Sequence, residues 1–440
     1  MSSSPPSTPF FLLLLFVFVS SSSFVSSENL PVKALVLPVK KDSSTLQYIT
    51  TIHQRTPSVS LTLSVHLGGS YLSVDCHDRS FISETYRPLF CRTVQCSATR
   101  SRSCGTCNGP ARPGCNKNTC RSLPENPFNR LTLYGEFAED AIMVRATDGS
   151  VPGRLVTANR FIFACSSNSL LEGLAKGAKG VVGLGRSQVA LPTQFSSKFG
   201  FNRKFAICLP SSTGVDNGGA IFFGDGPYNF LPNMLDASKY LIYTPLLVNP
   251  NSTRIGAGDT DPSYEYFIGV KAIQVNKQTL RFNTSLLNID RGIGGTKIST
   301  VNPYTILETS IYDSIAAAFT EESGLSRVGS ISPFEHCFDG RKVPMTVVGP
   351  AVPEIKLVLQ SNSVVWSILG VNSMVEPKPG VLCLGFVNGG RHPVTSVVIG
   401  GLQLEDNLFQ FDLGASRFGF SSSLLRKKTC CSNFSIKVDS

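Results

Sequence analysis

The chain has 440 residues, 13 cysteines and a formal net charge of +10. That length is more than one hydrophobic core usually covers, so two lobes are expected. The basic residues are spread along the chain, with short clusters only at Lys40-Lys41 and Arg426-Lys427-Lys428. This excludes a nucleic-acid-binding arm and leaves two readings of the charge open: ordinary solubility, or attraction to acidic partners such as wall polysaccharides.

The first element is a ten-residue apolar run, Phe10 to Val19. It is too short to span a bilayer, which takes about 20 residues. Small residues follow, and Val25-Ser26-Ser27 precedes Glu28 as a cleavage site, so residues 1–27 read as a secretory signal peptide, although their n-region lacks Lys and Arg. No later stretch is apolar for long enough to cross a membrane. The mature chain is therefore expected outside the cell, in the apoplast or cell wall.

The cysteines agree with an oxidising compartment. Seven lie between Cys76 and Cys120, and the others are Cys165, Cys208, Cys337, Cys383, Cys430 and Cys431. Cys104-Gly-Thr-Cys107 has the spacing of a zinc or redox site, but in a secreted chain it reads as part of a disulfide framework. No metal and no cofactor are expected. The odd count leaves one thiol over, and adjacent Cys430 and Cys431 are its source, because neighbouring cysteines rarely both find bridge geometry. Asn251, Asn283 and Asn433 head N-glycosylation sequons.

Strand signals dominate the mature chain, at Ser58 to His66, Phe161 to Cys165, Ala220 to Phe223, Tyr266 to Val275 and Val364 to Ile368. Helical signals are few: Leu191-Pro-Thr-Gln-Phe195 opens one short helix, and Ile311 to Glu322 reads as another. An internal echo divides the chain. Val181-Val182-Gly183-Leu184-Gly185 lies about 115 residues after a segment around His66, and Val397-Val398-Ile399-Gly400-Gly401 lies about 100 after a segment around Ser299. The predicted organisation is an N-terminal lobe, residues 28–230, and a C-terminal lobe, residues 231–440, with the boundary between Pro227 and Thr244.

Those two segments carry a resemblance. Ser64-Val65-His66-Leu67-Gly68-Gly69-Ser70 is similar to the hydrophobic-Asp-Thr-Gly-Ser of pepsin-like proteases, and Gly295-Thr-Lys-Ile-Ser299-Thr300 to their second Gly-Thr-x-Ile-Asp-Ser. Gly183-Leu-Gly-Arg186 with Leu191-Pro192, Phe205-Ala-Ile-Cys208-Leu209, and Phe411-Asp-Leu413 with Arg417-Phe-Gly-Phe420 resemble further plant pepsin-like stretches. Four motifs point to the branch that lacks protease activity: Arg112-Pro-Gly-Cys115-Asn116, Glu125-Asn-Pro127, the run from Gly295 to Tyr304, and Gly401-Leu-Gln-Leu-Glu405-Asp-Asn-Leu. That branch holds the extracellular dermal glycoprotein, the basic 7S globulins, the wheat-type xylanase inhibitors and the xyloglucan-specific endoglucanase inhibitors.

The resemblance implies an all-β, disulfide-rich, bilobal fold of two barrel-like lobes. His66 and Ser299 stand where two aspartates would share one proton, and neither can replace that pair. The glycine-rich flap hairpin of active relatives is cut short, since Tyr134-Gly135-Glu136 runs directly into Phe137-Ala-Glu139. The implied disulfides are Cys337 with Cys383, Cys208 with Cys430, and Cys165 with Cys76. The implied function is inhibition of microbial glycoside hydrolases, endoglucanases or xylanases, through basic C-terminal-lobe loops at Ser323 to Pro333 and Asn388 to Thr395. Arg327, Arg391 and His392 are the candidate contact residues, and Val394 stands where the dermal-glycoprotein type carries an arginine. Two other readings remain: a peptide- or carbohydrate-binding wall or storage protein of the basic 7S type, and a hydrolase using His66 with Ser299, for which no third orienting residue is evident.

Overall fold

The computed structural model describes residues 1–2, 31–77, 80–213, 218–252 and 261–434. Nearly all of the expected signal peptide lies outside them. Strands account for most of the described elements, with a few short helices.

Alternation builds the sheets. Tyr48–Gln54 buries every second side chain, the period-2 pattern of a half-buried strand, and pairs antiparallel with Val59–His66. Gly135–Thr147 and Pro152–Ser166 form a long antiparallel hairpin. Ala34–Lys41, Gly219–Gly224, Lys204–Cys208, Leu408–Asp412, Arg417–Phe420 and Ile242–Leu247 then follow one another as antiparallel neighbours. The central pairing of that row joins chain segments about 200 residues apart. A file of aromatic side chains crosses it in register: Phe223 faces Phe205, Phe205 faces Phe411 and Phe411 faces Phe418. Their ring centroids are 6.4, 4.8 and 5.2 Å apart, within the range of favourable aromatic pairs.

Four parallel pairings among the described strands interrupt this antiparallel pattern, and two of them carry the repeated elements. Gly180–Gly183 lies parallel to Val59–His66, with Gly183 opposite His66. Thr296–Ile298 lies parallel to Val397–Ile399. The repeated hydrophobic-hydrophobic-Gly elements thus do the same job twice. The stretch Tyr266 to Val275 is not one strand: Tyr266–Ile268 pairs with Thr296–Ile298, whereas Ala272–Val275 pairs with Ile355–Val358 in another sheet. Gly269 lies in the break between them.

The helix Leu191–Phe199 has Pro192 in its first turn, where a missing N–H costs nothing, and is capped by Gly200 at φ 78°. The helix Thr309–Ser323 is capped by Glu308, whose carboxylate accepts from the Ser310 and Ile311 amides. It buries Ile311, Ile315, Ala318 and Phe319, a stripe at helical spacing.

Six disulfides join described cysteines. Cys76 is bonded to Cys165, and Cys337 to Cys383. The expected Cys208–Cys430 pairing is corrected: Cys208 is bonded to Cys431, and Cys430 is the free thiol. The Cys431 amide donates to Asp406 Oδ1 at 3.0 Å, which turns the fully buried Cys431 side chain inward and leaves Cys430 at the half-buried edge. Cys431→Ser is therefore expected to lower stability by about 2–4 kcal/mol, and Cys430→Ser by under about 0.5 kcal/mol. Denaturant unfolding measures both, and thiol labelling of the unfolded wild-type chain should map to Cys430.

A buried polar cluster ties residues near the start of the mature chain to residues near its end. Glu405 accepts from Lys41 Nζ at 2.6 Å and Tyr48 Oη at 2.7 Å. Burial pushes the Glu405 carboxyl up from 4.5 to about 7, with Lys41 opposing and Asp406 adding to the rise. Burial, and then Glu405, hold the Tyr48 phenol well above its ordinary value. With a folded pKa above the unfolded one, the stability contributed by Glu405 is fully present below about pH 4.5. It is lost as pH rises through about 7. Glu405→Gln is expected to flatten that part of the stability profile, read from unfolding midpoints between about pH 4 and 8.

Candidate functional site

The two parallel pairings of the repeated elements aim two turns at each other. The His66 carbonyl accepts from the Gly69 amide at 3.0 Å and the Leu184 amide at 3.1 Å, and Gly185 closes back onto Gly69 at 2.8 Å. Gly69 must be glycine, since a Cβ there would lie 2.8 Å from Gly183 Cα and 3.1 Å from His66 Nδ1. On the other side the Ser299 amide donates to Ile399 and the Gly401 amide to Asn302. One side chain bridges the turns: Thr300 Oγ1 accepts from the Leu67 amide at 3.0 Å and donates to the Val65 carbonyl at 2.9 Å. Its counterpart in the first turn is Leu67, which has no hydroxyl, so this grip is one-sided.

His66 and Ser299 line the same pocket, of about 840 Å³, with Gly68, Tyr71, Glu265, Lys297 and Asn302. Ser299 Oγ donates to Asn302 Oδ1 at 3.2 Å and accepts from the Val301 amide at 3.2 Å. It is thus held by its own turn. The carboxylates lining the pocket are Glu125 and Glu265, neither of them in the paired turns. Glu265 is bound by Lys297 at 2.8 Å. The arrangement has the frame of an acid-pair hydrolase without adjacent carboxylates sharing a proton.

The cleft mouth differs from the sequence expectation of a trimmed flap. Glu125, Pro127 and Arg130 line the pocket, on a loop closed by the bridge between Glu125 and Thr132. Fully buried Asn126 fastens it, with Nδ2 donating to the Leu170 and Glu172 carbonyls at 3.0 and 2.7 Å and Oδ1 accepting from the Phe128 amide at 2.9 Å. This is the physical content of the Glu125-Asn-Pro127 motif. Arg112-Pro-Gly-Cys115-Asn116 is explained likewise, because buried Glu136 accepts from the Gly114 and Asn116 amides and from Asn116 Nδ2. Neither role is visible in the spacing; the signal is a polar residue inside an otherwise loop-like motif.

The Asn388 to Thr395 loop is braced at the first turn of the helix Thr309–Ser323. Asn388 Oδ1 accepts from Thr309 Oγ1 and the Gly390 amide, and the Gly390 carbonyl accepts from the Thr309 amide. Arg391 and His392 project into solvent at the tip, His392 at φ 61°, and Val394 is 55% exposed while its carbonyl accepts from the Gly294 amide. Arg327 begins a two-residue strand paired with Cys337–Asp339, and its guanidinium donates to the Glu335 carbonyl at 3.3 Å. It lies near the first turn of the helix. Burial and Glu335 raise the Tyr312 phenol to about 12 against the pull of Arg327, and burial and Arg327 lower the His336 imidazole. Of the sequons, Asn283 is exposed, whereas Nδ2 of Asn251 donates to the Arg291 carbonyl and that of Asn433 to Thr429.

These features define a pepsin-like bilobal β protein with His66 and Ser299 in its two facing turns. A family model described as xylanase inhibitor N-terminal matches residues 48–225, and one described as xylanase inhibitor C-terminal matches residues 265–422. The chain is 52% identical over 426 residues to probable aspartic proteinase GIP2 of Nicotiana benthamiana, covering 96% of both. It is 42% identical over 438 residues to gamma conglutin 1 of Prunus dulcis, covering 98% of this chain and 96% of that one. Crystal structures of edgp and of basic 7S globulin from soybean superpose with TM-scores of 0.90 and 0.80 at 55% and 35% identity. They cover 93% and 92% of this chain, and the matches span 99% and 98% of theirs. The chain belongs to this xylanase-inhibitor family, the plant pepsin-like branch that also holds the basic 7S globulins.

The one-sided Thr300 grip is open to test. Thr300→Val leaves the Leu67 amide and Val65 carbonyl unpaired and is expected to cost about 1–3 kcal/mol. Thr300→Ser keeps both bonds and should recover most of that loss in the same thermal-unfolding assay.

Proposed function

We propose that this is a secreted protein without peptidase activity that inhibits microbial endoglucanases or xylanases by inserting basic C-terminal loops into their clefts. The observation that supports the reading is that Arg327, Arg391 and His392 are all exposed on C-terminal segments held by local hydrogen bonds. The replacement of both paired acids and the family's xylanase-inhibitor domains support it. Glycoside hydrolases place two carboxylates beside the scissile bond. An arginine fork pairs with such groups in a desolvated groove and is a frequent interface hot spot. Bracing through Asn388, Gly390 and the Cys337–Cys383 disulfide lowers the ordering cost of docking. We assign the lobe boundary to residues 227–244, glycosylation to Asn283, and the working compartment to the extracellular wall.

The test is inhibition of a panel of microbial β-1,4-glucanases, xyloglucanases and xylanases by the mature protein. Inhibition of one class is expected, weakened about 10-fold or more by Arg327→Ala or Arg391→Ala. Val394→Arg, which adds a guanidinium at an exposed loop position, is expected to tighten it. Full inhibition by the Arg327→Ala/Arg391→Ala variant would remove the loops from the mechanism. No inhibition by folded protein across the panel would overturn the reading.

A further inference from the structure

The positive charge is not evenly distributed in this molecule. Between Arg87 and Arg130 the chain carries eight Lys or Arg residues and one carboxylate, Glu125, which accounts for seven of the ten net charges. No two of these residues are adjacent in sequence, so no run announces them. All eight except Arg121 are exposed. Among the described residues, the one ion pair any of them makes is Arg102 with Asp261, at 2.7 Å. Concentrated, unneutralised charge of one sign raises self-repulsion and attracts counter-charge.

Three of these residues share a groove. Arg100, Arg102 and Arg121 line a depression of about 1020 Å³ with Tyr134. Tyr134 is 69% exposed, and the Arg121 guanidinium lies over its ring, 4.7 Å from the centroid. The floor is rigid: Cys91–Cys104, Cys96–Cys120 and Cys107–Cys115 cross-link the arm, and Cys104–Gly105 pairs with Thr119–Ser122. At its inner end the groove shares Ser70, Tyr71 and Tyr264 with the central pocket, where Arg130 stands. The result is an extended channel whose outer groove carries three arginines against one carboxylate, Asp261, with an exposed aromatic ring among them.

We propose that this channel binds an acidic polysaccharide, a linear uronate chain, through Arg100, Arg102 and Arg121 with Tyr134 as a stacking platform. Planar guanidinium forks match carboxylates in bidentate geometry. An amphipathic aromatic ring offers its face to the apolar side of a sugar ring while remaining wet at its edge. A linear polymer fits an open channel that a compact acidic protein would meet only at its rim. The site is separate from the Arg327 and Arg391 loops, and the proposal does not depend on hydrolase inhibition.

Binding of the mature protein to de-esterified polygalacturonate tests it, with methyl-esterified polymer and neutral xyloglucan as comparisons. Affinity for the free-acid polymer is expected to exceed that for either comparison by about 10-fold or more. It should fall as salt rises from about 0.05 to 0.3 M. Arg100→Ser/Arg102→Ser should weaken it about 10-fold or more. Tyr134→Ala, which leaves the charge unchanged, should weaken it several-fold. Arg426→Ser/Lys427→Ser removes the same charge elsewhere and should leave affinity unchanged, and none of these variants should alter hydrolase inhibition. Equal loss in the Arg426/Lys427 variant, equal binding of esterified polymer, or equal binding of single-stranded nucleic acid would overturn the site in favour of unspecific charge attraction. Lost inhibition with retained polymer binding in the Arg100/Arg102 variant would assign the patch to a protein partner instead.

Discussion

Everything about the cleft depends on one pairing, Lys204–Cys208 against Leu408–Asp412. It joins parts of the chain that are far apart in sequence, so its closure entropy is recovered only when the flanking strands and the aromatic file form together. Phe205 is the junction of that file, lying between Phe223 on one side and Phe411 on the other. The Cys208–Cys431 disulfide and the Lys41–Glu405–Tyr48 cluster fasten the same seam. With the seam fixed, the turns at His66 and Ser299 have no freedom to drift apart, and Thr300 bridges them.

That rigidity rests on backbone contacts rather than on the His66 and Ser299 side chains. Gly69, Gly183 and Gly185 are required by backbone approaches across the turns, not by any acid. The backbone hydrogen bonds of the turns form with His66 and Ser299 in place. The same scaffold also holds surface loops in place. The helix Thr309–Ser323 plays that part in the C-terminal half, where its first turn braces the Asn388 to Thr395 loop and neighbours Arg327.

The fold was legible because repeated elements carry it. Two apolar residues before glycine, occurring twice at similar distance from two degenerate acid motifs, imply two parallel pairings, and both are present. What was not legible had a common cause: short-range sequence does not report which long-range partner a polar group meets. Tyr266 to Val275 reads as one strand, yet its two halves satisfy their backbones in different sheets. Cys430 and Cys431 are equivalent on paper, and an amide bond to Asp406 decides between them. Asn126 looks like a loop residue and is the buried anchor of the loop that stands at the cleft mouth.

The charge distribution follows the same logic on the surface. A net charge divided among many short intervals looks like solubility when read along the chain. Folding places Arg100, Arg102 and Arg121 around one groove, because three disulfides leave the segment between Cys91 and Cys120 little other way to run. Such an arm has too little apolar content to hold a shape by burial alone, and its cross-links substitute for a core. A conformation held this way tolerates dense surface charge that a core-stabilised loop would relieve by fraying. The disulfides therefore do two things at once: they stabilise the arm, and they permit a cationic surface of defined shape beside the cleft.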